Sequence, residues 1–484
     1  MAVHSFQRGL KLKTRKHATE GMAIETAVVS QVVIPINQHF GAPNKAVVEA
    51  GDKVVRGQVI ADAAAPGPMT CPVHASISGI VKKIEPRTQS NNADGLCIII
   101  EAEKPAAEEV PNAENVQDGV VSVGNQQLEQ FMQPLDPFNC TKEEALARIR
   151  DAGIIGMGGA GFPAHVKLNP PPGKSIDTII ANAAECEPYL TIDEAVITEK
   201  SETLIAGITM VMKVTGVKKA IIGMEENKAG LVPVLEEAIR LNSHAHSENM
   251  EISVGLCKTR YPQGGEKMLI KALTGREVPS GGLPMDAHCI VSNVGTLVAI
   301  AEAFILGKPL IDRDLTITGG ACKKPKNMRL PIGTLITELP PQVMAIDNDY
   351  LRKIIFGGPM MGTAVATAAI PVQKNTSGIV LMRGEETLTD PETACIRCGR
   401  CIRNCPCRLS PVIMNTSLES SDMDEAVRAG LVDCIECGSC SYVCPARIKL
   451  VQRFRVGKVR LRAMKAMSQL QAQAEKKQEK KINA

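Results

Sequence analysis

The chain of 484 residues is poor in aromatic residues, with eight Phe, four Tyr and no Trp. It also lacks an uninterrupted run of about 18 apolar residues, so no membrane-spanning helix is expected. The N-terminal region from Met1 to Glu25 has no apolar core of a signal peptide, and a small secreted protein held by disulfides is therefore not expected. Lys plus Arg number 55 and Asp plus Glu 52. The resulting net charge of +3 gives no reason to expect nucleic acid as a partner.

The residue patterns of several enzyme classes are absent as well. The eight His residues show no H-x3-H spacing, and neither a Ser–His–Asp order nor a Walker-type G-x4-G-K-S/T occurs. Hydrolase and ATPase functions therefore have no support in the sequence. The length predicts roughly two to five domains.

Cysteine is the residue in excess, with 16 in the chain, nine of them between Cys395 and Cys444. Clustered cysteines in a protein without a secretion signal are typical of metal sites rather than of disulfides. The other seven are scattered singly and are predicted to be small buried core residues: Cys71, Cys97, Cys140, Cys186, Cys257, Cys289 and Cys322.

The clustered cysteines form two copies of a C-x2-C-x2-C-x3-C-P pattern. One copy reads C-I-R-C-G-R-C-I-R-N-C-P from Cys395 to Pro406, and the other reads C-I-E-C-G-S-C-S-Y-V-C-P from Cys434 to Pro445. In two-cluster ferredoxins with this pattern, the fourth Cys of each run binds the other cluster. The pattern therefore predicts two [4Fe–4S] clusters, one held by Cys395, Cys398, Cys401 and Cys444, the other by Cys434, Cys437, Cys440 and Cys405.

Zinc is the alternative metal, because it also binds four thiolates. Zinc ribbons, however, use two separated C-x2-C pairs instead of a triple followed by C-P. Cys407 lies outside the pattern and is predicted to be structural. Two one-electron centres do no substrate chemistry alone, so the clusters require an electron donor.

A glycine-rich loop after the helical pattern Lys142 to Arg150 is the candidate binding site of that donor. Backbone N–H groups in such a loop can approach a phosphate or a flat ring closely, and Lys167 is placed to neutralise a phosphate. An apolar strand, Asp177 to Ala181, follows. The loop glycines are Gly156, Gly158, Gly159 and Gly161, and the polar residues after the strand are Asn182, Glu185 and Glu187. Sheets of α/β domains place ligands at such strand ends, although a solvated turn is the alternative for the two glutamates.

These motifs resemble the flavin-binding subunit of respiratory complex I and related NADH dehydrogenases. The chain reads G-x-G-G-A-G-F-P and then N-A-x-E-x-E-P, and two further motifs follow in the family's order: Y-P-Q-G-G-E-K from Tyr261 to Lys267 and S-N-V-G-T-L from Ser292 to Leu297. Gly265 and Ala184 stand where that family has acids. With these departures and the two-cluster module, the chain resembles the RnfC family, one of the component families of the Rnf electron-transport complex, over roughly residues 1–460.

The resemblance implies which residues bind the cofactors, and it implies no catalytic side chain because hydride transfer takes place at the flavin. Phe162 and Glu187 would face the nicotinamide nucleotide, with Glu185 and Glu266 nearby. Tyr261, Gly265 and Thr296 belong to the same matched motifs. The residues implied to surround FMN are Gly156, Gly158, Gly159, Gly161, Lys167, Asn182, Gly264 and Asn293.

The resemblance further implies an NADH:ferredoxin oxidoreductase subunit at the cytoplasmic face of a bacterial inner membrane. NADH would reduce FMN, and the two clusters would carry electrons singly towards integral-membrane and peripheral partner subunits and, indirectly, ferredoxin. Ion translocation would occur elsewhere in that complex. Two alternatives remain open: a soluble FMN and iron–sulfur reductase similar to cobalamin reductase, and an iron–sulfur electron carrier without flavin.

The expected fold is α/β and multidomain, in seven consecutive parts. The predicted order is an N-terminal segment (1–30), a lipoyl-like barrel-sandwich hybrid (31–104), a linker (105–135), a Rossmann-like FMN/NADH-binding domain (136–310), a β-grasp domain (311–388), a helical two-cluster ferredoxin-like domain (389–446) and a basic tail (447–484). The sandwich has no Lys between Asp62 and His74 for acylation, which favours a docking module over a carrier arm.

The C-terminal tail carries a strong positive charge. From Ala446 to Ala484 it has 12 Lys or Arg and two Glu, a net charge of +10, which leaves about −7 for the rest of the chain. An amphipathic helix is predicted, and it would lie on an anionic membrane, dock to a partner or extend into solvent. Gln469 to Ala484 is expected to be frayed. The residues predicted to share its apolar face are Leu450, Phe454, Leu461 and Met464.

Overall fold

The structure is a computed structural model of the chain. It describes residues 3–64, 67, 69–103, 129–159, 161–341, 343–387 and 390–482, with the backbone alone for 472–482. Residues 105–128, most of the predicted linker, therefore lie outside the described residues, as does residue 104 before them.

The N-terminal segment runs in extended form across several parts of the molecule. His4 and Leu10 form isolated bridges with Cys257 and Tyr261, and the segment ends in strand β1 (Ile24–Thr26). Arg8 donates a hydrogen bond to the carbonyl oxygen of Ile402 in the cysteine-rich region. These contacts make the segment a strap that ties distant parts of the chain together.

Two small antiparallel sheets follow and face each other as a sandwich. One has the order β2-β8-β7-β4 and the other β3-β5-β6. Turns at Gly51 and Gly57 have positive φ, which glycine adopts without strain. The strands are β2 (Gln31–Pro35), β3 (Asn44–Ala46), β4 (Lys53–Val54), β5 (Val59–Ala63), β6 (Val73–His74), β7 (Gly79–Thr88) and β8 (Asp94–Glu101).

The next region is built on a parallel sheet of order β11-β10-β9-β12 with helices on both faces. Adjacent residues of its central strand enter opposite cores: Ile179 packs with α3 and α7, and Ile180 with α6. Burial on both faces explains why its strands are nearly all apolar. The elements are α1 (Lys142–Asp151), α2 (Ala164–Lys167), β9 (Thr178–Ala183), α3 (Ile192–Thr215), β10 (Lys219–Glu225), α4 (Val232–Leu241), α5 (Ser243–Ser247), β11 (Glu251–Cys257), α6 (Glu266–Thr274), β12 (Cys289–Asn293) and α7 (Val294–Ile305).

A mixed six-stranded sheet of order β1-β14-β13-β17-β15-β16 comes next, and the N-terminal strand forms one of its edges. Its inner face shares one continuous core with the sandwich, in which Val32 and Ile98 belong to the same apolar cluster as Leu315 and Met328. The two regions therefore bury apolar surface jointly. The strands are β13 (Asp312–Thr318), β14 (Lys326–Pro331), β15 (Leu351–Phe356), β16 (Thr363–Val365) and β17 (Gly378–Arg383).

The C-terminal region is helical. Its apolar core contains Met414, Leu431, Leu450 and Phe454, packed against several cysteines. Within the described residues, no helix is both long and apolar enough to cross a membrane. The helices are α8 (Arg400–Arg403), α9 (Pro411–Glu419), α10 (Met423–Arg428), α11 (Ser439–Tyr442) and α12 (Leu450–Ile482).

Helix α12 differs in two ways from the helix expected for the tail. Leu450 and Phe454 are buried in the core of their own region, while Met464 is 51% exposed, so the predicted apolar face packs only at its start. The helix also continues to Ile482, past the point where fraying was predicted. Other apolar side chains of the helix are exposed: Val456, Val459, Met467 and Leu470.

Candidate functional site: a cleft beside two cysteine sets

Fourteen of the fifteen predicted cofactor-binding residues line one open cleft of about 420 Å³. The cleft lies at the carboxyl end of the parallel sheet, where ligands of α/β domains bind. Tyr261 is the exception and lies behind the wall of the cleft. The lining residues are Gly156, Gly158, Gly159, Gly161, Phe162, Lys167, Asn182, Glu185, Glu187, Gly264, Gly265, Glu266, Asn293 and Thr296.

The glycine-rich loop is held by a hydrogen bond on one side and is open to the cleft on the other. The backbone N–H of Met157 donates to the Thr296 hydroxyl at 3.0 Å. A Cβ at Gly158 would crowd Asn293 at 3.1 Å, whereas one at Gly159 would meet no atom within 4 Å. The loop thus leaves free space directly over its backbone, as close approach of a phosphate or ring requires.

Two asparagines occupy equivalent ends of neighbouring strands, since Asn182 and Asn293 are register partners in β9 and β12. Asn182 donates to the Gly264 carbonyl oxygen at 2.9 Å and joins the strand to the loop before α6. Asn293 accepts from Gly295 N–H and so caps α7. The first turns of α6 and α7 therefore border the cleft, and their N-terminal dipoles favour an anionic ligand.

Buried acids surround one lysine that the sequence did not single out. Lys16, only 3% exposed, comes from the N-terminal strap and lies 3.4 Å from a carboxylate oxygen of Glu185, whose backbone carbonyl also accepts its ammonium. Burial, and next the charge of Glu185, raises the pKa of Asp193. Burial also raises the pKa of Glu225 to about 7. The strap thus brings a positive charge into an otherwise acidic wall.

Glu187 is held by the loop after β15. Its two carboxylate oxygens accept hydrogen bonds from Met360 N–H at 3.0 Å and Met361 N–H at 2.9 Å. Burial raises the pKa of Glu187 to about 7. A Cβ at Gly358 would collide with this carboxylate at 2.3 Å. Glu187 therefore lines the cleft and also anchors the six-stranded sheet to it.

Two further residues at the cleft were missed by sequence reasoning. Phe40, 59% exposed, comes from the sandwich and stacks on Phe162 with ring centroids 6.2 Å apart. Cys186, predicted as a core residue, lines the cleft and accepts Gly264 N–H at 3.3 Å. Five of the other scattered cysteines are buried as predicted. No local pattern indicates Phe40, because it meets the cleft only through the packing of domains.

Tyr261 connects the cleft to the cysteine-rich region. It is 2% exposed, and its hydroxyl donates to the Cys437 carbonyl oxygen at 2.6 Å. The same hydroxyl lies beside Glu187. The next residues of its loop, Pro262 and Gly264, line the cleft. Ile435 completes the junction, with its side chain 3.7 Å from where a Cβ of Gly265 would be.

The repeat cysteines line two cavities. Cys405 shares one with Cys434, Cys437 and Cys440, and Cys444 shares the other with Cys395, Cys398 and Cys401. The fourth Cys of each run thus lies with the first three of the other. Among the described residues, no group of three or more His, Cys, Asp or Glu is set to hold a single metal ion. Four repeat thiols around each cavity are the ligand set that a [4Fe–4S] cluster requires.

The geometry also fits a flavin mononucleotide. The cleft combines an open glycine backbone, two helix N-termini, the Lys167 ammonium and two asparagines, which is the donor set that a phosphate and a polar ring system need. Lys167 forms an ion pair with Glu266 at 2.8 Å on the rim. A Cβ at Gly264 would strike the Ala184 carbonyl oxygen at 2.2 Å, so this wall requires glycine.

Family comparisons agree with both parts of the site. The model of the Nuo51 FMN-binding domain matches residues 149–302, that of the 4Fe-4S dicluster domain matches 387–445, and that of the RnfC barrel-sandwich hybrid domain matches 4–105. The site and these matches define an iron–sulfur protein with an FMN-binding domain that belongs to the electron-transport class.

Curated relatives identify the family. The chain is 40% identical to the C component of the proton-translocating ferredoxin:NAD(+) oxidoreductase complex of Clostridium ljungdahlii, over 85% of this chain and 84% of the relative. It is 37% identical to the Na(+)-translocating counterpart of Acetobacterium woodii (84% and 86%) and 36% identical to the C component of the ion-translocating oxidoreductase complex of Rhodobacter capsulatus (94% and 83%). The chain belongs to the RnfC family of Rnf complex components.

Proposed function

We propose that this chain is the electron-input subunit of an Rnf-type complex, which oxidises NADH through FMN and passes electrons singly through two [4Fe–4S] clusters. The observation that carries the proposal is the junction at Tyr261. One loop lines the flavin cleft and donates a hydrogen bond to the backbone of Cys437. The site that would accept a hydride and the site that would accept single electrons therefore share a wall.

FMN, when bound, supplies the chemistry that accepts two electrons as a hydride and releases them one at a time. The residues of the chain bind the flavin and the nucleotide and position them. The glycine loop, Lys167, Asn182 and Asn293 would hold the flavin and its phosphate, while Phe162 with Phe40 would contact the nucleotide. No side chain needs to act as a general acid or base.

The arrangement of the cysteines supports an order for the two clusters. The set beginning at Cys434 abuts the flavin cleft, since Cys437 contacts Tyr261 and Ile435 packs near Gly265. The set beginning at Cys395 lies farther out, and Cys395 is exposed. We call the repeats 434–445 and 395–406 the inner and outer repeats. Electrons would enter at the inner repeat and leave at the outer one.

The finer assignments rest on the family. The six-stranded sheet would be the β-grasp domain, and the seven-part domain order of the sequence analysis would hold. The chain would lie at the cytoplasmic face of the inner membrane, bound to integral and peripheral partner subunits, with ferredoxin as the indirect acceptor and ion translocation in those partners. The basic helix α12 supports attachment to an anionic surface or partner.

The test is anaerobic reconstitution with FMN, iron and sulfide, followed by addition of NADH. We expect about eight Fe per chain, as two cubane clusters require, and bleaching of the flavin absorbance by NADH. Lys167→Ala should weaken FMN binding, because the rim ammonium is lost, and leave the iron content unchanged. Lys142→Ala, an exposed side chain at the start of α1, is the control that should change neither quantity.

Four Fe or fewer would contradict the two-cluster assignment. Iron without NADH-dependent bleaching would favour the flavin-less carrier, and an active protein that co-purifies with no membrane subunits would favour the soluble reductase.

A further inference from the structure

The inner and outer repeats have the same backbone, although their surroundings differ. Arg397 and Glu436, at equivalent positions, both have positive φ, 54° and 57°. Gly399 and Gly438 follow with 70° and 79°. The two loops therefore present equivalent residues in equivalent directions, and the contacts of one can be compared directly with those of the other.

The isoleucine after the first Cys is buried in one repeat and exposed in the other. Ile435 of the inner repeat packs at the junction with the flavin domain, in one apolar cluster with Leu10, Tyr261 and Met360. Ile396, its equivalent in the outer repeat, is 67% exposed. The inner loop thus uses its isoleucine as a docking contact to the neighbouring redox domain. The outer loop leaves the same side chain exposed beside the cavity of its own cysteines, and among the described residues it packs in no apolar cluster.

The charges around the two isoleucines also differ. In the inner repeat Glu436 is held by Arg455 and Lys458 at 3.1 and 2.8 Å. The outer repeat has three exposed arginines instead, and among the described residues none of their guanidinium groups has an ion pair. They are Arg397, Arg400 and Arg403. The nearby Arg453 differs from these three, because it pairs with Glu392 and Glu419.

We propose that Ile396 and these three arginines form the docking surface for an acidic one-electron carrier protein, which exchanges electrons with the outer cluster. An exposed apolar side chain beside unpaired charge of one sign is the composition of an interface whose partner carries the opposite charge. The inference rests on the proposed function, and it adds direct docking of the carrier to this chain where the family implies only an indirect route to ferredoxin. One electron passes per encounter, so that the outer cluster is oxidised as the carrier's centre is reduced, and no proton or bond is transferred.

Among the possible occupants, the position of the surface favours an acidic redox protein over a membrane. The exposed Cys395 precedes Ile396 directly, so whatever covers this isoleucine comes close to the cluster ligands. A lipid surface accepts no electrons, whereas a protein carrier at this position does. A second copy of the chain would present the same three arginines and be repelled.

The test measures binding of the reconstituted chain to a purified acidic two-[4Fe–4S] ferredoxin, by surface plasmon resonance under anaerobic conditions at roughly 50 to 300 mM salt. The first variant is Arg397→Glu with Arg400→Ser, which copies the residues that the inner repeat already carries beside its cluster. We expect at least a roughly tenfold weaker Kd at low salt and a flatter salt dependence, mainly through slower association.

The second variant, Ile396→Ala, distinguishes the contribution of the apolar side chain to binding from that of the arginine charges. It should speed dissociation severalfold and keep the salt dependence, since no charge changes. Arg240→Glu with Leu241→Ala is the matched control: both side chains are exposed on α4, and binding should be unaffected. Iron content and NADH-dependent flavin bleaching are measured for every variant.

The proposal would be overturned if the ferredoxin did not bind the unaltered chain. It would also be overturned if the charge variant kept about eight Fe and bound the ferredoxin as tightly as the unaltered chain does. A third contrary result is a charge variant that still binds the ferredoxin but no longer binds anionic lipid vesicles or no longer self-associates. Each of these is distinct from failure of the proposed function, in which NADH would not bleach the flavin of the unaltered chain.

Discussion

The inner and outer repeats carry the same ligand spacing, but they differ in nearly everything around it. Cys437 is buried while its equivalent Cys398 is half-buried, and Cys434 is half-buried while its equivalent Cys395 is exposed. Ile435 lies in an apolar cluster, while Ile396 faces solvent. Ligand spacing therefore predicts that a cluster forms, and the residues between the ligands indicate what that cluster exchanges electrons with. Electron transfer through a duplicated module acquires a direction when one copy is covered by its own chain and the other copy is exposed.

The largest expected effect comes from removing the ligand that the outer repeat supplies to the inner cluster. Cys405 stands in the outer repeat but lies with the inner cysteines. Cys405→Ser should therefore abolish the inner cluster and reduce the iron content from about eight to about four per chain. EPR spectra should retain the outer cluster, and NADH should still bleach the flavin without reducing that cluster.

The control for this variant is Cys407→Ser, two residues farther along and outside the pattern, which should keep both clusters. If Cys405→Ser instead removed the outer cluster, the cross-ligation, and with it the distinction between inner and outer repeats, would be wrong.

Local patterns predicted which residues come together in the cleft and in the two cavities, because these residues lie in short motifs. The glycine loop, the strand-end asparagine and the cysteine repeats each follow from spacing and from rules about strand ends and thiolates. The FMN-binding domain, barrel-sandwich hybrid and dicluster domain of the expected fold were all confirmed by the family matches. Resemblance added the identity of the flavin, which spacing alone left open.

Residues that reach the site from a distance were not predictable in this way. Lys16 and Phe40 come from the strap and the sandwich, and nothing near them in sequence indicates a cleft far ahead in the chain. The shared core of the sandwich and the six-stranded sheet is likewise a property of packing, since an apolar strand pattern does not specify what covers it. The apolar face of α12 was predicted from the periodicity of its apolar residues. Periodicity indicates which residues share a face, but it does not indicate what packs against that face.

A smaller effect is expected at the loop that separates cleft and inner repeat. Glu187 holds Met360, whose carbonyl oxygen lies 2.9 Å from where a Cβ of Gly438 would be. The outer repeat has no equivalent contact among the described residues. Burial raises the pKa of Glu187 from its ordinary 4.5 to about 7. The folded chain therefore binds this proton more tightly than the unfolded chain.

The stability contributed by protonated Glu187 is complete below pH 4.5 and is lost as the pH rises through the folded-state pKa of about 7. The loss is on the order of 3 kcal/mol. Glu187→Gln stays neutral, so thermal unfolding should show it gaining stability relative to the unaltered chain between about pH 5 and pH 8. Exposed Glu338→Gln is the control. A stability difference that does not change with pH would mean that Glu187 is already ionised at the acid end of this range.

The smallest effect concerns the single hydroxyl that joins the flavin cleft to the inner repeat. Tyr261→Phe keeps the buried ring but leaves the Cys437 carbonyl oxygen without its donor. The expected loss of unfolding free energy is about 1–2 kcal/mol, the usual consequence of leaving a buried acceptor unsatisfied. Tyr442→Phe is the matched control, because Tyr442 is 55% exposed and has no side-chain hydrogen bond among the described residues.

The kinetic consequence of Tyr261→Phe distinguishes a contact that orients the inner repeat from one that only stabilises the fold. Stopped-flow measurements should show unchanged flavin bleaching by NADH but slower reduction of the inner cluster, because its backbone is no longer fixed to the wall of the cleft. The outer cluster should follow the inner one with the same delay. If outer-cluster reduction kept its rate while the inner one slowed, electrons would be reaching the outer repeat by another route, and the order derived from the two environments would fail.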